Sequence, residues 1–143
     1  MTDPYASGTI SGDPFHKKIP VNGKVVAVLS ARAGDRGIRL IEPRSRVLVK
    51  GDVHEMLLTD EDAGPGQTVN RVAYSGFFEV CNSGVVVTGD AVLVRGVELG
   101  RVAGFDLSHF PNHMNIVVRS GSPMTGEEMG LEPGMEVQFG VTG

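Results

Sequence analysis

The densest group of chemistry-bearing side chains lies in "FDLSHFPNHMN", Phe105 to Asn115, which gathers Asp106, His109, Asn112, His113 and Asn115. On a helix Asp106, His109 and His113 would share one face. Pro111 argues against a helix, because proline interrupts helical hydrogen bonding and pushes Phe110 toward extended geometry. Asp106 and His109 are therefore expected on a loop, with His113 opening the following strand. Alternation then sends Met114, Ile116 and Val118 to one side and His113, Asn115 and Val117 to the other. An apolar face opposite a His-x-Asn face suits a site at the mouth of a barrel. Asp106, His109 and His113 form a carboxylate–imidazole set that would hold a divalent metal ion such as zinc, iron, nickel or manganese. Without a metal, His113 and His109 would serve as acid and base, since imidazole titrates near neutral pH. Asp106 would then assist them, with Asn115 and Asn112 on the substrate. In a purely structural reading Asp106 caps a turn, His109 is exposed and His113 is a hydrogen-bonded barrel residue.

Three further groups deserve the same weighing. In "GDVHEML", His54 and Glu55 are strand neighbours and face opposite sides. His54 would join the first cluster as a substrate contact if the two strands are adjacent; otherwise the pair simply flanks a turn. In "FFEVCN", Glu79 and Cys81 lie on one side. Glu79 sits in an apolar run, where burial would raise its carboxyl pKa and make it a substrate-binding candidate. Cys81 as a nucleophile would need a base close by, and a buried structural cysteine is the plainer reading. Arg32, Arg36, Arg39, Arg44, Arg46 and Lys50, around "AGDRG", would bind a phosphate or carboxylate or else form a solvated sheet face. No Walker loop, Gly-x-Gly-x-x-Gly, Gly-x-Ser-x-Gly or His-Glu-x-x-His sequence appears.

The elements that must position these groups read as strands. Twenty glycines and eight prolines punctuate short valine-rich runs. Runs are expected at Lys24 to Ser30, Gly37 to Glu42, Arg46 to Thr59 with a Gly51–Asp52 turn, and Thr68 to Val80 with a break at Ser75–Gly76. Gly84 to Gly96 reads as a hairpin turning at Gly89–Asp90, and Met114 to Arg119 and the "MEVQFGV" segment complete the set. One short helix is expected near Thr125 to Met129, where Thr125 and Glu128 fit a capping box and Gly130 the terminating position. No long 3.6-residue periodicity exists, which excludes a helical bundle or a doubly wound α/β fold. The expectation is a mostly β protein, a small closed or nearly closed β-barrel over 23–143 with an irregular arm over 1–22. "VLVKGDV" (Val47 to Val53) and "VVVTGDA" (Val85 to Ala91) echo each other without gaps; a true repeat would favour a pseudo-symmetric barrel.

"GFDLSHFPNHMNIVV" followed by "MGLEPGMEVQF" resembles the C-terminal part of the archaeal CTP-dependent riboflavin kinases, which are small cradle-loop barrels. Gly104–Phe105, Phe110–Pro111, Asn115, Gly130–Leu131, Gly134 and Val137 fall in matching places. The family's Gly-Thr pair is Asn112–His113 here. Of the Thr and Asn that help hold the metal at the phosphates in those kinases, only Asn115 carries over. The resemblance implies a cradle-loop type of barrel and a nucleotide-dependent small-molecule kinase as a second functional reading.

Length and composition bound the rest. One domain fits 143 residues, and 41% hydrophobic with 21% charged residues is a globular composition. The net charge of −4 has the wrong sign for a nucleic-acid binder and gives no case for a membrane surface. Cys81 alone makes neither an internal disulfide nor a cysteine zinc site. The opening "MTDPYASGTISGDPF" lacks a signal peptide's basic start and apolar run, so a cytoplasmic protein is expected. Tyr5, Ile10, Phe15 and Ile19 in the arm suggest completion on a neighbour, hence a homodimer. The functional expectation is a small enzyme acting on an organic metabolite, of isomerase, cyclase, lyase or hydrolase type. The alternatives are the kinase and a non-catalytic ligand-binding barrel.

Overall fold

A computed structural model describes residues 19–140. Most of the expected arm, and the apolar residues Tyr5, Ile10 and Phe15 within it, lie outside the described residues. The elements are β1 (Val21–Val28), β2 (Arg32–Ala33), β3 (Ile38–Arg39), β4 (Ser45–Leu48), β5 (Val53–Thr59), β6 (Thr68–Val69), β7 (Val72–Val80), β8 (Gly84–Val87), β9 (Ala91–Val94), β10 (Val97–Asp106), β11 (Asn115–Arg119), α1 (Gly126–Met129) and β12 (Glu136–Phe139). The protein is mostly β, as its punctuated valine runs imply. Among the described residues no helix is long and apolar enough to cross a membrane.

Seven strands form a ring in the order β1-β12-β9-β10-β11-β5-β7, and β1 pairs back onto β7. Every ring strand sends side chains into one apolar cluster, including Val25, Met56, Phe78, Val92, Phe105, Ile116 and Phe139. Phe78, Phe105 and Phe139 are almost wholly buried, each contributing roughly 1.5–3 kcal/mol of transfer free energy. A second cluster lies on the outer face of the ring. Leu57, Val72, Ala103 and Val117 are covered there by Ile38, Leu40 and Val69 of a flap built on the short β3–β6 pair. Ile38 and Leu40 are buried while Arg39 between them is exposed, the alternation expected for Gly37 to Glu42.

Bulges let two clusters form on opposite faces of the same strands. In β7 the register slips at Ser75, between the Met56–Gly76 and Leu57–Tyr74 pairs. One extra residue inverts alternation. Val72 and Tyr74 therefore join the outer cluster while Phe78 and Val80 join the inner one. Gly76 permits the bend: a Cβ there would collide with the Ala27 carbonyl oxygen of β1.

The sequence echo has a structural counterpart. Gly51 N–H donates to the Val80 carbonyl (2.9 Å) as Gly89 N–H does to that of Val102 (2.8 Å). Asp52 N–H donates to Val49 and Asp90 N–H to Val87, both at 3.0 Å, and the return bonds from Val80 and Val102 to Asp52 and Asp90 also match. β4 and β8 pair antiparallel with Val47 opposite its counterpart Val85, as a local twofold requires. Gly100 of β10 meets Arg119 of β11 as Gly76 meets Ala27. The repeat is therefore a matched pair of backbone units.

The Gly89–Asp90 turn forms, but β8 and β9 do not pair with each other. β8 pairs β4 and β9 pairs β10 and β12, because the turn leads each strand into a different sheet. The hairpin is instead β9–β10, turning at Arg95 (φ 53°) and Gly96 (φ 75°), which matches the twist of its strands. Helix α1 forms at its expected place, with both capping-box bonds and Gly130 in the left-handed conformation (φ 72°).

Candidate functional site

The most concentrated polar chemistry lies on the outer face of the ring, beside the flap. Strands β5 and β11 run parallel with Asn115 opposite Glu55, and β5 pairs β7 with Glu55 opposite Phe77. Glu55, Asn115 and Phe77 are thus neighbours on one face. The turn before β11 adds His109 and His113, and the flap adds Arg36, held by its N–H to the Asn70 carbonyl at 3.0 Å.

His113 is the centre of the group. Its Nε2 approaches Glu55 Oε1 at 3.4 Å, with the two side chains 15% and 10% exposed. The approach lacks hydrogen-bond geometry, so Nε2 is buried and unpaired. The ring stands edge-on to Phe77 (centroids 5.2 Å apart) and stacks on His109 (5.0 Å). Arg36 Nη2 lies 3.3 Å from His109 Nε2. Guanidinium only donates, so His109 Nε2 accepts and its proton sits on Nδ1. Arg36 Nε donates to Tyr74 Oη at 2.9 Å.

The surroundings set the charges. Burial pushes the Glu55 carboxyl above its ordinary value; the charges of His109 and Arg36 oppose this and Asp106 adds to it. Burial pushes His113 below the ordinary imidazole value, helped by His109 and opposed by Asp106. A carboxyl pushed up by burial therefore adjoins an imidazole pushed down by it, which brings the proton affinities of the two groups closer together. Such a pair offers both a donor and an acceptor for proton transfer.

Asp106 is not on a loop but ends β10, paired with Asn115 of β11, and is buried (4% exposed). Its Oδ2 accepts from Ser108 Oγ (2.7 Å) and Asn115 Nδ2 (2.9 Å), and its Oδ1 from Ser108 N–H (3.1 Å). A carboxylate only accepts, which fixes the Asn115 amide with its oxygen turned away, buried and unpaired. Its register neighbour on that face is Glu55, whose acid form is a donor.

The expected site residues thus divide. His113 and Asn115 share a face, His109 is exposed and stacks on His113, and Asn112 Nδ2 lies 3.5 Å from His113 Nδ1. Asp106, His109 and His113 do not converge as a ligand set, because Ser108 and Asn115 occupy the Asp106 carboxylate. Among the described residues no three His, Cys, Asp or Glu side chains converge to hold a metal ion. His54 lies on an adjacent strand but does not reach the cluster. It points toward Phe78, and its Nδ1 accepts the Met114 N–H at 3.1 Å. Its chain neighbour Glu55 takes the outer face instead. Glu79 is exposed rather than buried. Cys81 is free and half-buried, its Sγ 3.8 Å from the Glu79 carbonyl.

Sequence reasoning did not assign roles to Glu55, Tyr74 and Phe77, nor single out Arg36 among the six basic residues. The usable signal for Glu55 was its opposition to His54. Tyr74 and Phe77 share a face only through the β7 bulge.

Two open cavities flank these elements. One of about 290 Å³ lies between the flap at Arg39–Glu42 and the Asp106–Ser108 turn. A larger one of about 350 Å³ is lined by Arg32, Asp60, Arg71 and Pro123. Its charges are already matched, Arg32 with Glu128 and Arg71 with Asp60, and among the described residues no unpaired acid–base group lines it, so the cluster around His113 is the better candidate.

No curated protein and no solved structure matches the chain. One family model does, over residues 15–140, and the chain accordingly belongs to the family of unknown function DUF6917.

Proposed function

We propose that the protein is a small enzyme acting on an organic metabolite by acid–base chemistry, of the isomerase, cyclase, lyase or hydrolase class. The observation that carries this reading is the Glu55 Oε1–His113 Nε2 approach at 3.4 Å between two largely buried groups. Burial favours the neutral form of each. His113 takes a proton from the substrate and the Glu55 acid returns one, or the reverse. Phe77 and His109 hold the imidazole plane by edge and face contact. A side chain that moves a proton to or from the reacting group typically contributes about 10²–10⁴-fold in rate.

The test is a panel of small oxo, hydroxy and phosphorylated metabolites incubated with the protein in D₂O and followed by proton NMR. Turnover or deuterium incorporation is expected for one chemical class, and loss by about 10²-fold or more in Glu55→Gln and His113→Gln. Turnover that persists unchanged in both variants would overturn the assignment. Saturable binding without turnover or exchange would favour the non-catalytic binding barrel.

A further inference from the structure

We infer that Arg36 is the seat for an anionic group of the substrate, a carboxylate or a phosphate. This rests on the proton-transfer reading of Glu55 and His113 and names the substrate class that such a site takes.

Arg36 is half-buried, and among the described residues no carboxylate lies within ion-pair distance of it. The arginines that do form ion pairs, Arg32, Arg71, Arg101 and Arg119, each meet an acidic side chain. A partly desolvated guanidinium without a counter-charge is unfavourable, and an incoming anion relieves that cost. The group is also preorganised. Tyr74 Oη fixes the Nε edge and His109 Nε2 meets Nη2. Nη1 and the second Nη2 hydrogen remain for a bidentate anion. Neither contact of Arg36 is a carboxylate, so neither cancels its charge.

Position narrows the ligand. Arg36 touches His109, and His109 stacks on His113 at 5.0 Å between centroids. The His109 ring thus lies between the anion seat and His113. The substrate class is therefore a carboxylated or phosphorylated metabolite that extends from Arg36 past the His109 ring to His113. An anion at Arg36 would also stabilise an imidazolium forming on His113, the charge change that a base at this position undergoes.

The test uses the whole protein at low ionic strength, labelled with ¹⁵N in arginine and histidine. Inorganic phosphate and methyl phosphate form one arm, acetate and pyruvate the other, with chloride as the control. Saturable shifts of the Arg36 Nε and the His109 and His113 ring signals are expected in one arm, which identifies the anion. Arg36→Gln should weaken that binding by about ten-fold or more. Arg36→Lys should retain part of it, showing a folded site that has lost the fork. Glu55→Gln should leave anion binding intact or tighten it, since a nearby carboxyl is neutralised. Equal binding by the wild type and Arg36→Gln, or no shift in either arm, overturns the inference. A loss of His113–Glu55 coupling with anion binding preserved would instead strike the proton-transfer reading and leave the seat standing.

Discussion

His54 is buried, and its Nδ1 accepts the Met114 N–H at 3.1 Å, so a proton on that atom would break the bond joining the starts of β5 and β11. Burial is the main cause that lowers its pKa; His113 and Arg46 act in the same direction and Asp52 opposes them. The folded-state pKa thus lies below the unfolded value. The stabilisation is fully present above that unfolded value, about 6.5, and is lost as pH falls through the lower folded pKa. Urea unfolding should therefore show stability falling between about pH 7.5 and pH 5. The fall should be shallower in His54→Gln, which keeps an acceptor and removes the titration; an identical fall in both would show that His54 does not contribute. At this scale the sequence was half legible. Period two shows that His54 and Glu55 face apart, but not which one faces the ring interior. That is decided by the parallel pairing of β5 with β11, a contact between residues far apart in the chain. Arg36 was indistinguishable from five other basic residues because its place depends on how the flap lies across the outer cluster.

Strands that serve two clusters need places where alternation inverts, and glycines allow the close backbone approach found there. Gly76 faces the Ala27 carbonyl and Gly100 that of Arg119, with no room for a Cβ at either. Gly76→Ala and Gly100→Ala should each destabilise by about 1–3 kcal/mol, the range for overpacking against backbone. Gly121→Ala, with nothing within 4 Å of its Cβ, should be near neutral. Thermal unfolding of the three variants checks this, and equal midpoints for all three would refute it. Gly76→Ala should also disturb the Tyr74–Arg36 contact, because the bulge sets the face on which Tyr74 lies. The capping box of α1 was readable because Thr125, Glu128 and Gly130 act within one turn. The β8–β9 hairpin was misread because a turn is local and the choice of strand partner is not: Val87 and Ala91 flank a real turn yet enter different sheets.

The ring closes only when both backbone units are present. β5, β7 and β1 form one side, β9, β10 and β11 the other, and β12 bridges β1 to β9. Neither side alone encloses Phe78, Phe105 and Phe139. Unfolding should therefore be a single cooperative transition, with far-UV circular dichroism and tyrosine fluorescence giving the same midpoint. Two separated transitions would mean that the units fold independently. The β class was legible in the valine runs between glycines, and the repeat in "VLVKGDV" and "VVVTGDA". The ring order was not, since it depends on contacts between strands distant in the chain. The site follows from that order, because the parallel β5–β11 junction sets Glu55 beside Asn115 and within reach of His113.

The most direct measurement is an NMR pH titration of the His113 ring in the wild type and in Glu55→Gln. If the two groups form a proton-transfer pair, His113 titrates below the ordinary histidine value, as burial and His109 dictate. It should titrate lower still in Glu55→Gln, where the carboxylate that favours imidazolium is gone. An ordinary titration of His113, unchanged by Glu55→Gln, would contradict the account.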